Sequence, residues 1–72
     1  MSKEVRAKLA GRIRELRKKR GLSQEKLGEK ANLTLRHVQR LEGKTPPAIE
    51  IDSLVGLAKA FGISLPTLLS FD

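Results

Sequence analysis

Three times in this chain, a residue that tolerates left-handed backbone is followed by an aliphatic residue and then a hydroxyl: Gly21-Leu22-Ser23, Asn32-Leu33-Thr34 and Gly62-Ile63-Ser64. Each triplet stops one helix and starts the next. Glycine or asparagine accepts the positive φ that ends a helix, and the hydroxyl accepts a bond from the free amides of the following one. The aliphatic residue between them packs on Leu27, Val38 or Leu68 as a hydrophobic staple. No strand pattern competes, so the chain reads as all-α.

The apolar spacing between these boundaries sets the expected elements. Val5, Leu9, Ile13 and Leu16 fall on one helical face, which predicts helix 1 over roughly 3–20. Helix 2 is expected over 24–31 and helix 3 over 35–42, stopping at Gly43. Residues 43–51, GKTPPAIEI, contain two consecutive prolines and form an ordered connection. Asp52 is expected to cap helix 4, with Leu54, Leu57, Ala58 and Phe61 as its inner stripe, and a short helix 5 runs to about Leu69. The expectation is a compact five-helix bundle forming a single domain over residues 1–72.

A domain of this size buries only about 60% of its unfolded surface, and without cysteine it has neither disulfides nor a thiolate metal site to staple it. No apolar run approaches the roughly 20 residues needed to cross a bilayer, and the start of the chain lacks a signal-peptide pattern. A soluble, cytoplasmic protein of prokaryotic or phage origin is expected.

The net charge of +7 is unevenly spread. Residues 1–22 hold nine Lys/Arg against two Glu, and residues 45–72 hold one against three acids. One basic pole suits a polyanion, which by charge alone includes DNA, RNA or an acidic membrane.

The segment SQEKLGEKANLTLRHVQRLE narrows this choice. Two short helices separated by three residues must cross steeply, as in a helix-turn-helix. Gly28 leaves room for helix 3 to approach helix 2, and Leu27, Ala31, Leu33, Val38 and Leu41 turn inward. At 100° per residue, Arg36, Gln39 and Arg40 then project away from the buried side, flanked by Leu35 and His37. Ser23 and Gln24 stand at a helix N-terminus, where exposed amides and the helix dipole favour an anion.

The stretches IRELRKKRGLSQEKLGEKA, VQRLEGK and LVGLAKAFGISLPTLL, in that order and near that spacing, resemble the phage-repressor and Cro-type helix-turn-helix family, also called the xenobiotic-response-element family. The resemblance covers nearly the whole chain and implies a lambda-repressor-like DNA-binding domain. It implies base contacts at Leu35, Arg36 and Arg40 with Thr34 at the edge, a phosphate contact at Gln24, and backbone contacts at Lys44 and Thr45. It also implies a partly buried salt bridge between Arg17 and Glu42. The chain departs from the family at Gly28, where alanine is usual, at Asn32, where glycine is usual, and after Glu42, where one residue fewer precedes Gly43.

The expected base-contacting set is therefore Thr34, Leu35, Arg36, Gln39 and Arg40, and the phosphate-contacting set Ser23, Gln24, His37, Lys44 and Thr45. A solvated helix face is the plainer reading of the two arginines, and the run Arg17-Lys18-Lys19-Arg20 reads equally as a solvated surface. Ile49, Ile51, Leu65, Leu69 and Phe71 either complete the core or form a patch that pairs two copies. No catalytic residues, metal site, cofactor or small-molecule ligand are evident, since His37 is the sole histidine and no nucleophile–base motif or phosphate-cradling loop occurs. The expected function is sequence-specific binding of double-stranded DNA as a homodimeric transcriptional regulator, a repressor, on a pseudo-palindromic operator. The competing expectation is an antitoxin-like or adaptor module that uses the same fold to bind a protein.

Overall fold

The computed structural model describes residues 1–71, among which α1 spans Lys3–Lys19, α2 Gln24–Ala31, α3 Leu35–Leu41, α4 Ile51–Phe61 and α5 Leu65–Leu68. No strand occurs among the described residues. Each boundary triplet serves two helices at once. Gly21, Asn32 and Gly62 have φ of 64°, 59° and 71°. The amide of the aliphatic residue that follows each donates back into the helix just ended: Leu22 to the Arg17 carbonyl (3.1 Å), Leu33 to Gly28 (2.8 Å) and Ile63 to Ala58 (3.0 Å). These are Schellman closures. The hydroxyls of Ser23, Thr34 and Ser64 then accept from the amides of Lys26, His37 and Thr67, while the side chains of Leu22, Leu33 and Ile63 pack on the core.

The core is a single cluster. Leu9, Ile13 and Leu16 of α1 meet Leu27 and Ala31 of α2, Val38 and Leu41 of α3, the α4 stripe Leu54, Leu57, Ala58 and Phe61, and Leu68 of α5. Several boundaries differ from the sequence expectation. Helix 1 ends at Lys19, and Glu42 and Leu69 lie just past α3 and α5. Asp52 is not the cap of α4: the helix has already begun at Ile51, after Glu50 in extended backbone with no side-chain cap bond, so Asp52 lies in the first turn. There its charge faces the positive end of the helix dipole. Val5 does not join the inner stripe and is 41% exposed. The inward face of α1 runs instead from half-buried Arg6 through Leu9, Ala10 and Ile13, and Val5 lies about 100° round the helix from Arg6.

Two glycines inside helices allow backbone to touch backbone. A Cβ on Gly28 would lie 2.7 Å from the Leu33 carbonyl oxygen, so the space it leaves is filled by the turn and not by α3. On Gly56 of α4 a Cβ would lie 2.8 Å from the carbonyl oxygen of Ala31. The conformational cost of a helical glycine, about 1 kcal/mol, goes with a close approach at both positions, of the turn to α2 at Gly28 and of α4 to the end of α2 at Gly56.

Arg12 of α1 and Arg20, just past its end, reach the ends of two other helices. Arg12 donates to the carbonyls of Thr67 (3.0 Å) and Leu68 (3.3 Å) at the end of α5. Arg20 donates to the Phe61 carbonyl at the end of α4 (2.8 Å), with its guanidinium 5.6 Å from the Phe61 ring centre. The last carbonyls of a helix lack amide partners within it, although that of Thr67 also accepts the Ser70 amide at 3.1 Å.

Gly56→Val introduces atoms where the Ala31 carbonyl sits and is expected to lower stability by about 1 to 3 kcal/mol in urea unfolding. An unchanged midpoint would mean that α2 and α4 do not approach this closely.

Candidate nucleic-acid interface

Helix α3 has two unlike sides. Val38 and Leu41 are buried in the core, whereas Thr34, Leu35, Arg36, Gln39 and Arg40 are all exposed and His37 is half-buried. The division follows from seven residues of helix with two inward anchors three positions apart. Leu35 is 40% exposed, an apolar side chain left beside two cations. The Thr34 hydroxyl accepts the His37 amide at 3.0 Å and keeps its own proton to donate.

The end of α3 is tied to the start of α2 through one carboxylate. Glu42, its side chain only 3% exposed, accepts from Arg17 Nε (2.7 Å), Arg17 Nη2 (3.0 Å) and Gln24 Nε2 (3.2 Å). Arg17 Nη1 also donates to the Leu22 carbonyl at 2.8 Å, in the turn between α1 and α2. Three helices and a turn thus meet at a bidentate arginine–carboxylate pair, among the stronger hydrogen-bonded pairings in proteins.

At the start of α2, the exposed Ser23 caps Lys26 and leaves the amides of Gln24 and Glu25 without a bond within the helix. The half-buried Gln24 spends one amide proton on Glu42 and retains the other. Lys44 and Thr45 are exposed on the loop beyond α3. The structure therefore ties the start of α2 to the end of α3, the helix that bears the outward face.

The five apolar residues expected as core or pairing patch divide. Ile49 is only 8% exposed and belongs to the core, because it anchors the proline-containing loop, so it is no part of a surface patch. Leu65 and Phe71 are half-buried against the same core. Ile51 and Leu69 are 65% and 40% exposed.

The run Arg17 to Arg20 divides as well. Arg17 and Arg20 hold helix ends, and Lys18 and Lys19 are exposed. The carbonyl-capping roles of Arg12 and Arg20 were missed in the sequence, where nothing marks one arginine in a basic helix as different from another. Among the described residues no group of three or more metal-ligating side chains assembles, and no helix is long and apolar enough to cross a membrane.

Removing the carboxylate should leave Arg17 buried without its counter-charge. Glu42→Ala is expected to cost about 3 to 5 kcal/mol in urea unfolding. The Arg17→Met, Glu42→Met double variant should lose less than the sum of the two single changes. Strict additivity would show that the pair does not act as a unit.

No curated protein matches the chain significantly by sequence. Among solved structures, the restriction-modification controller protein C.AhdI from Aeromonas hydrophila is similar at 32% identity, with a TM-score of 0.81. The match covers 88% of this chain and 94% of that one. The family described as Helix-turn-helix matches residues 13–68, from the middle of α1 to the end of α5. With that match spanning the whole α2–turn–α3 unit, and the fold and its buried supports in agreement, this chain belongs to the helix-turn-helix family.

Proposed function

We propose that this protein is a DNA-binding transcription regulator that lays α3 in the major groove and acts by occupancy, as a repressor where its operator overlaps a promoter. The observation that carries this reading is the outward face of α3: five exposed residues, Thr34, Leu35, Arg36, Gln39 and Arg40, on a helix whose other side is locked in the core. The similarity to a restriction-modification controller protein supports it.

The side chains suit base edges. Arg36 and Arg40 each carry a fork that matches guanine O6 and N7, Gln39 matches adenine N6 and N7, and Leu35 suits a thymine methyl. Thr34 serves the edge of the same surface. Ser23 and Gln24 at the α2 N-terminus, with His37, Lys44 and Thr45, take phosphates and set orientation without reading sequence. On this reading the action is binding, and the similarity to a restriction-modification controller protein from Aeromonas hydrophila supports the cytoplasm of a prokaryotic or phage-infected cell as its place.

Size argues for two copies. The longest Cα extent of the chain is 27 Å, below the roughly 34 Å between successive major-groove faces on one side of DNA. One protomer therefore presents one helix to one groove, and a two-turn pseudo-palindrome calls for a homodimer. Ile51, exposed at the start of α4, and Leu69, exposed just past α5, are the apolar side chains offered for it.

Selection from random duplex DNA should return a two-fold-symmetric site bound at least about a thousandfold better than scrambled DNA. Arg36→Ala should cost about 1 to 3 kcal/mol and relax preference at one position of each half-site. Weak, sequence-blind binding near 10⁻⁴ to 10⁻⁶ M, on the order typical of non-specific contact, would remove the reading and turn attention to a protein partner. Ile51→Asp should shift sedimentation equilibrium toward monomer, and an unchanged mass would place the pairing surface elsewhere.

A further inference from the structure

Beside the outward face of α3 lies a cleft of about 640 Å³, formed between the first turns of α1 and the loop after α3. Four cations line it: Lys3 and Arg6 from α1, Arg40 from α3 and Lys44 from the loop, against one acid, Glu4. The ion pairs among the described residues are Arg12–Glu15 and Arg17–Glu42, so none of the four cleft cations is paired with Glu4. Pro46 and Pro47 wall the loop side and contribute no amide protons.

Arg6 is the unusual member. It continues the inward face of α1, three and four residues before the buried Leu9 and Ala10, where the helix period calls for an apolar side chain. Its Nε is buried and has no hydrogen-bond partner in the protein. A guanidinium nitrogen buried without an acceptor is costly, and among the described residues no carboxylate pairs with the charge of Arg6, which an anion entering the cleft would meet. Arginine's planar fork matches the oxygens of a phosphate.

We propose that this cleft seats a DNA phosphate, held by Arg6 and Lys3 of α1 together with Lys44 of the loop. The proposal rests on the DNA-binding reading above and extends it to α1, outside the helix-turn-helix. The link is Arg40, which belongs both to the outward face of α3 and to the cleft. A strand bordering the groove occupied by α3 therefore passes the cleft mouth. Arg6 is a clamp on the backbone, with no part in choosing the sequence.

The test uses the full chain and its selected duplex, with Arg6→Met, which keeps the apolar stem and removes the charge, and Arg6→Lys, which keeps the charge. For Arg6→Met, the slope of log K against log salt should fall in magnitude by about one per bound protomer. The ratio of wild-type to variant affinity should then shrink about threefold per protomer between ~50 and ~200 mM salt. Preference for the selected site over scrambled DNA should stay unchanged, and Arg6→Lys should keep the wild-type slope. If Arg6→Met is too unstable by thermal melting, Lys3→Gln at an exposed position carries the same expectation.

An unchanged slope, in a protein whose sequence preference still depends on Arg36, overturns the cleft proposal and leaves the DNA reading intact. The arginine then only packs its stem against the loop. Inorganic phosphate shifting the Arg6 and Lys44 amide resonances, with the DNA slope unaltered in Arg6→Met, assigns the cleft to small anions and overturns it equally. Absence of sequence preference in the wild-type chain removes both readings.

Discussion

The carboxylate of Glu42 sets the relative position of the three helices that matter most here. It stands just past the end of α3, yet its partners are Arg17 on α1 and Gln24 at the start of α2, and Arg17 reaches the turn carbonyl of Leu22 as well. Apolar packing is non-directional and would tolerate some sliding of α3 along the core. A bidentate pair does not, because its two bonds fix both distance and angle. Gln24 feels this constraint directly: the same residue proposed to meet a phosphate is held by Glu42, so the start of α2 and the outward face of α3 are fixed relative to each other.

Much of the fold was legible because its determinants are local. Gly21, Asn32 and Gly62 followed by an aliphatic residue and a hydroxyl announce helix boundaries through backbone chemistry that needs no knowledge of tertiary structure. The same holds for the two sides of α3, since Val38 and Leu41 determine which way Arg36 and Arg40 must face. The resemblance to repressor domains pointed to Arg17 and Glu42 together; periodicity would have left them as two charged residues 25 positions apart.

What escaped the sequence is non-local. Gly56 differs from any other helical glycine only because the Ala31 carbonyl lies against it. Arg12 of α1 and Arg20 just past its end are two basic residues among many until the ends of α5 and α4 arrive against them. Ile49 was as open to the surface as to the core until the path of the proline loop was known. Asp52 looked like a cap because its residue type suits the role, but the helix starts one residue before it. Net charge also overstated the surface available to a polyanion, since Arg12, Arg17 and Arg20 are engaged in holding the fold.

The side chains of Arg36, Gln39 and Arg40 make no hydrogen bond or ion pair to the rest of the protein among the described residues. What holds α3 in place lies on its other side and at its two ends. Substitution of surface positions away from such supports usually changes stability by less than about 0.5 kcal/mol. The outward face can therefore be rewritten with little penalty to folding, and on the DNA-binding reading proposed above a lineage carrying this scaffold acquires a different operator by changing side chains of that face while Gln24, Arg17 and Glu42 stay as they are. On that reading, the domain keeps a replaceable vocabulary apart from a fixed grammar.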